Sequence, residues 1–159
     1  MGGFYEGLAE SLSLYVKQQA WLGTAPDKAK GEKFDSPPRI EAMLQRGDEI
    51  RLPPNPAEHL TRWLFDIGPA VPTGMASAPV GWRDIAAWQE STGVVLAPWE
   101  ARMIRKLSAV FIAASRDARK RDCPAPYTGL ETMDDVADRR AAVAAKLSAM
   151  FGGLKQTEA

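Results

Sequence analysis

Residues 98–121 read PWEARMIRKLSAVFIAASRDARKR, and this stretch decides the fold class. Ile104, Leu107, Phe111 and Ala114 recur at three- and four-residue spacing with Met103 and Val110 alongside, which is the period of a helix with one buried face. Arg102, Arg105, Lys106, Arg116, Arg119, Lys120 and Arg121 lie along and just after the same segment. They read either as a solvated face or as a contact for phosphate or for an acidic protein.

Immediately upstream, Ile85, Trp88 and Thr92 share a face with Trp82 near the start, Asp84 opposes the positive helix end, and Gly93 closes the segment. The spacing predicts a helix over 81–92, joined to the next by Val94, Val95 and Leu96. Two helices meeting at Gly93 superficially suggest a helix-turn-helix with a basic recognition helix, although Trp99 and Met103 fit packing equally well.

Further toward the N-terminus, Asn55 is placed to cap a helix over 56–67, with Pro56 at its first position and Glu58 three residues after the cap. Gly68 and Pro69 end it, and the Gly-, Pro- and Ala-rich segment to Pro79 reads as an ordered loop with Val71 and Met75 as apolar anchors. Ser36 and Pro37 resemble an N-cap and first position for a short helix bearing Ile40, Met43 and Leu44, closed by Gly47. Leu8, Leu12, Tyr15, Val16, Gln19 and Leu22 predict a first helix over 6–22, and the Gly, Pro, Lys, Asp and Ser text from Gly23 to Pro38 reads as a mobile linker.

On the C-terminal side Cys123-Pro124-Ala125-Pro126 breaks the pattern. Thr132 with Asp135 then resembles a capping box opening an Ala-rich helix with Val136, Val143, Leu147, Met150 and Phe151, stopped by Gly152 and Gly153. Val136, Val143 and Met150 at seven-residue spacing are compatible with self-association.

No run alternates long enough to require a strand. The expectation is an all-α domain of five to six helices with Pro- and Gly-rich connections: 1–35 an N-terminal helix and linker, 36–121 the helical core, 122–159 a linker and capped helix. Of 159 residues 45% are apolar and 25% charged, so a packed core is expected. Twenty Lys and Arg balance twenty Asp and Glu, which removes the bulk attraction typical of nucleic-acid binders. A lone Cys123 and no secretory leader point to a reducing compartment, and no run reaches the roughly 18 apolar residues of a membrane span.

Catalytic constellations are missing from the pattern. His59 is the only histidine and reads as a capping or packing residue. Cys123 reads as an exposed thiol, although the cations before it would favour a thiolate. Asp134 and Asp135 suit a helix's first turn without any ligand. The glycines match neither a phosphate loop nor a dinucleotide fingerprint. No cofactor and no metal site are expected, and the chain is not read as an enzyme. Four of the five tryptophans fall between Trp63 and Trp99; Trp63 and Trp88 are expected in the core, with Trp82 and Trp99 open to either core or interface.

From Arg39 to Ala114 an ordered set of features recurs: Arg39-Ile40-Glu41 leading to Gly47, prolines at 53 to 56, Trp63 and Phe65, Gly74-Met75, Trp82, Asp84-Ile85, Ala87-Trp88, Thr92-Gly93, Leu96, Pro98-Trp99-Glu100, Ile104 and Leu107. In this order and spacing the stretch resembles the tail assembly chaperones of long-tailed bacteriophages, especially those encoded beside the tape-measure gene in Mu-like and lambda-like prophages. The family pattern has an acidic residue after the position of Leu107, where this chain has Ser108, and neither the linker nor the segment from Thr132 aligns.

The resemblance implies a non-catalytic factor in the host cytoplasm, absent from the mature virion, that binds the tape-measure protein, keeps it soluble and helps recruit tail-tube protein. The residues expected at the partner are Met75, Trp82 and Trp99, with Arg102, Arg105 and Lys106 facing an acidic surface. The competing expectation is a DNA-binding or transcriptional adaptor using the basic helix.

Overall fold

The computed structural model describes residues 2–129 and residue 145. The chain divides into two compact units, Met1–Tyr127 and Thr128–Ala159. The second falls almost wholly outside the described residues, and with it the helix expected from Thr132. The first is all-α apart from one minimal ribbon: α1 (Gly2–Gly23), α2 (Arg39–Arg46), α3 (Glu58–Ile67), β1 (Val71–Pro72), β2 (Ser77–Ala78), α4 (Trp82–Thr92) and α5 (Pro98–Ala118). None of the described helices is long and apolar enough to cross a membrane.

Helix α5 forms because its apolar residues repeat at helical spacing and because its start is prepared. Pro98 needs no N–H bond in the first turn, and the Glu100 carboxylate accepts from the Ala97 N–H at 2.8 Å. Its buried stripe is Met103, Ile104, Leu107 and Ser108. Against this stripe lies α1, through Ala9, Leu12 and Val16, with Leu60 and Leu64 of α3, Val80, Ile85 of α4 and Leu96 completing one core. Each fully buried Leu or Ile contributes roughly 1.5–3 kcal/mol. Tyr5 meets Trp99 at one end, and Trp21 Nε1 donates to the Cys123 carbonyl at 2.9 Å at the other, so α1 and α5 run side by side in the same direction.

The division expected at residue 35 is therefore corrected. Residues 1–35 and 36–121 belong to one unit because α1 supplies a wall of the core. The segment 23–38 is likewise not a free tether. The Asp27 N–H donates to the Arg119 carbonyl at 2.8 Å, and the Arg121 guanidinium donates to the Asp27 carbonyl, the Glu32 carboxylate and Ser36 Oγ. A polar, Pro-rich segment has no apolar face to bury, but its carbonyls and carboxylates are what two arginines at a helix end require.

Four helix starts shift, α1 beginning at Gly2 where the apolar spacing predicted residue 6. Helix α2 begins at Arg39, not after Ser36, because Pro38 disfavours helical backbone at Pro37. Helix α3 begins at Glu58; Asn55 Oδ1 accepts from the Ala57 N–H at 3.3 Å, shaping the turn before the helix, and Asn55 Nδ2 donates to Thr61 Oγ1 at 2.8 Å. Helix α4 begins at Trp82, where Asp84 Oδ2 accepts from the Gly81 N–H at 2.8 Å, and it ends as expected on Gly93 at φ 73°.

The stretch expected to be a loop contains an antiparallel ribbon pairing Val71 with Ala78 and Pro72 with Ser77. Two residues per strand are too few for alternation to be visible in a sequence. The turn is closed by Thr73 N–H donating to the Ala76 carbonyl at 2.9 Å, and Gly74 at φ 78° supplies the left-handed residue it needs.

Candidate functional site

The exposed face of α5 meets the segment between the ribbon and α4. Arg102, Arg105 and Lys106 occupy positions i, i+3 and i+4 of the helix, so they project from one side within about 6 Å of axial rise. Trp82, the first residue of α4, lies half-exposed beside them, with the Arg105 guanidinium 4.4 Å from its ring centroid. This cation–π stack orients both side chains and leaves the rest of the indole in water. Together with Pro79 and Ala109 the four residues line a shallow pocket of about 330 Å³.

Val80 fixes this arrangement. Its side chain is fully buried, its N–H donates to Ser108 Oγ at 2.9 Å, and its carbonyl accepts from Arg105 Nε at 3.3 Å. The Ser108 hydroxyl donates in turn to the Pro69 carbonyl at 2.8 Å. One hydroxyl in the core thus holds both roots of the ribbon, Pro69 on the way out and Val80 on the way back. An acidic side chain accepts but does not donate when ionised, so it would leave the Pro69 carbonyl without this bond. That gives Ser108 a concrete role at the position where the resemblance led one to expect an acid.

Of the residues expected at a partner surface, Trp82, Arg102, Arg105 and Lys106 come together here. Met75 is not an anchor; it is fully exposed at the ribbon tip, while Val71 packs against the core as expected. The tip rises from the pocket rim at Pro79, within about 13 Å of extended chain. Trp99 does not join the group. It lies partly buried against the core, with Tyr5 at 5.6 Å. Trp63 and Trp88 pack against the core, their rings 6.0 Å apart, and Trp88 Nε1 donates to Asp66 at 2.6 Å.

Electrostatics divides the basic cluster. Arg119 pairs with Asp27 at 2.9 Å and Arg121 pairs with Glu32. Among the described residues no carboxylate pairs with Arg102, Arg105 or Lys106. Glu10 and Lys17 of α1 border a neighbouring depression that Lys106 also lines, without an ion pair to Lys106. From Ile67 to Trp82 the chain carries no charged residue at all. The surface is therefore an uncharged ribbon and indole beside three cations that lack counter-charges.

The remaining chemical candidates that are described take part in packing and backbone contacts. His59 stacks edge-on against Trp63 at 5.0 Å and lies 3.4 Å from Glu100, linking the starts of α3 and α5. Cys123 is partly buried rather than exposed, and its carbonyl takes the Trp21 bond. Asp134 and Asp135 lie outside the described residues. Among those described, no three His, Cys, Asp or Glu side chains converge as a metal site would require.

The burial of two polar residues was not anticipated from the sequence. Arg39 is buried, 5.0 Å from the Trp21 ring centroid, and donates to the Lys120 carbonyl at 2.8 Å and the Thr24 carbonyl at 3.4 Å. Loss of water lowers its pKa from the ordinary guanidinium value, and the nearby Cys123 acts in the opposite sense. Gln18 is buried in α1, donating to the Arg51 carbonyl at 2.9 Å and accepting from the Tyr127 N–H at 3.0 Å. Only their position on an otherwise apolar helix or after a Pro pair could have marked them. Compared with family models, curated proteins and solved structures, the chain matches none.

Proposed function

We propose that the chain is a non-catalytic tail assembly chaperone that binds a phage tape-measure protein, keeps it soluble and helps bring tail-tube protein to it. One observation carries this reading: the Trp82–Arg105 stack, flanked by Arg102 and Lys106 without carboxylate partners, presents aromatic and cationic groups on one surface, and the ribbon that leads into it carries the exposed Met75. Masking a long amphipathic helical protein needs this combination, because aromatic and Met side chains cover apolar stripes of varied shape while cations select their acidic flanks. A shallow pocket suits contacts that tail-tube subunits later displace. The sequence resemblance between Arg39 and Ala114 points to the same activity, carried out in the host cytoplasm and finished before the virion is complete.

The division of the basic cluster weighs against the DNA-adaptor alternative. A recognition helix needs its cations free for phosphates, whereas Arg119 and Arg121 are committed to Asp27 and Glu32.

Co-expression of the tagged chain with the tape-measure product encoded nearby tests the proposal. A soluble complex at physiological salt, formed only when this chain is present, is the expected result. An insoluble tape-measure protein with no complex would overturn it.

A further inference from the structure

We infer that the ribbon and the α5 cations form a two-part site for one class of partner segment, an amphipathic helix whose apolar stripe is bordered by Asp or Glu. This rests on the chaperone reading and specifies the chemistry of its target.

The chain is neutral overall, and Lys28, Arg46, Arg51, Arg119 and Arg121 each have a carboxylate partner. Arg102, Arg105 and Lys106 have none among the described residues, and unlike other cations without one, such as Lys17 or Arg62, they line a single pocket around the half-exposed Trp82 ring. Three like charges carried within about one helical turn repel one another, and the repulsion is relieved when an anionic surface arrives.

The shape of that surface follows from what borders the cations. Met75 and Trp82 belong to a stretch without any charge from Ile67 to Trp82, and both present apolar area to water. A uniformly acidic ligand such as a nucleic-acid backbone would use the cations and leave Met75 and Trp82 idle. A helix with an apolar stripe uses both parts, since carboxylates three and four residues apart on its flank repeat at the spacing of Arg102, Arg105 and Lys106. The Arg105 guanidinium retains donors beyond the bond to Val80 while its planar face stays on Trp82. Ser108 is a positioning residue for this site, because it ties the ribbon roots to the same helix that carries the cations.

The test uses two labelled helical peptides of about 18 residues, five turns long, with one apolar stripe of Leu and Phe and flanks of Glu in one and Lys in the other. Each is titrated with the whole chain by fluorescence anisotropy at physiological salt. The Glu peptide is expected to bind at least about 10-fold tighter than the Lys peptide, and the chain carrying Arg102→Glu and Lys106→Glu to invert that order. Met75→Ser is expected to weaken both peptides about 3-fold without changing the preference.

Equal binding of the two peptides, a preference that survives the charge reversal, no binding of either peptide, or displacement of the Glu peptide by random-sequence duplex DNA would each overturn the inference. Its failure is separable from that of the function. If the tape-measure protein is still captured while the peptides show no charge preference, the chaperone reading stands and the two-part site falls. If the Glu peptide binds as expected but the tape-measure protein is not captured, the site stands and the chaperone reading falls.

Discussion

The two ends of α5 carry similar cations with opposite fates. At the C-terminal end Arg119 and Arg121 face the 23–38 segment and hold it by ion pairs and carbonyl contacts. Nearer the N-terminal end Arg102, Arg105 and Lys106 face a stretch without charge and are left to solvent and to each other. A row of arginines on a helix is therefore no single signal. Its meaning is set by the charge of the chain that packs beside it, one end building structure and the other offering a surface.

The largest effect expected from breaking this contrast is functional. Arg102→Glu with Lys106→Glu lowers affinity for an acidic-flanked helical peptide about 100-fold, equivalent to about 2.7 kcal/mol. Both side chains are exposed, so the thermal midpoint by circular dichroism stays within about 2 °C. A matching loss of midpoint would mean these cations build structure as well, and the contrast would vanish.

Next comes a cation at the other end that is structural by burial. Arg39→Ala removes the donors to the Lys120 and Thr24 carbonyls and the stack on Trp21, costing about 2–3 kcal/mol in urea unfolding. Peptide affinity is unchanged. A loss under about 0.5 kcal/mol would show that the end of α5 is held by other contacts.

Ser108→Ala sits between the two regions. It strips the partner from the Val80 N–H and the Pro69 carbonyl, costing about 1–2 kcal/mol, and amide exchange of Val80 should accelerate more than that of Leu60 in α3. Ser108→Thr keeps the hydroxyl and is expected to restore slow exchange at Val80; no difference between the two variants would sink the latch.

The smallest effect belongs to Arg121→Ala. Its ion pair with Glu32 is more than a third exposed on both sides, so global stability falls by no more than about 1 kcal/mol. Proteolytic nicking between Lys28 and Lys33 should nonetheless quicken, since the bonds to Asp27, Glu32 and Ser36 go together. An unchanged cleavage rate would return that segment to the status of a free tether.

Much of the fold was legible because long helices write their period into the sequence. Helix α5 declared itself through Ile104 and Leu107, and Gly47 and Gly93 marked the ends of α2 and α4 through the left-handed backbone only glycine adopts readily. The ribbon was not legible, being two residues per strand and governed by a buried serine that lies 28 residues beyond Val80 and that no local pattern connects to it. The site was half legible. Arg102, Arg105 and Lys106 stood out as a cluster, but which basic residues remain unpaired depends on Asp27 and Glu32, which only the folded chain brings to Arg119 and Arg121.

The parallel seating of α1 against α5 has a consequence in time. The hydrogen bond from Trp21 to the Cys123 carbonyl spans 102 residues of chain, so the core's two longest walls come from opposite ends of the folded unit. During synthesis Leu12 and Val16 emerge first and wait uncovered until Ile104 and Leu107 have been made. Closing so long a loop makes folding slower than in a bundle of sequence-adjacent helices. A protein proposed to shelter another's apolar helices thus spends its own first moments with one of its own exposed.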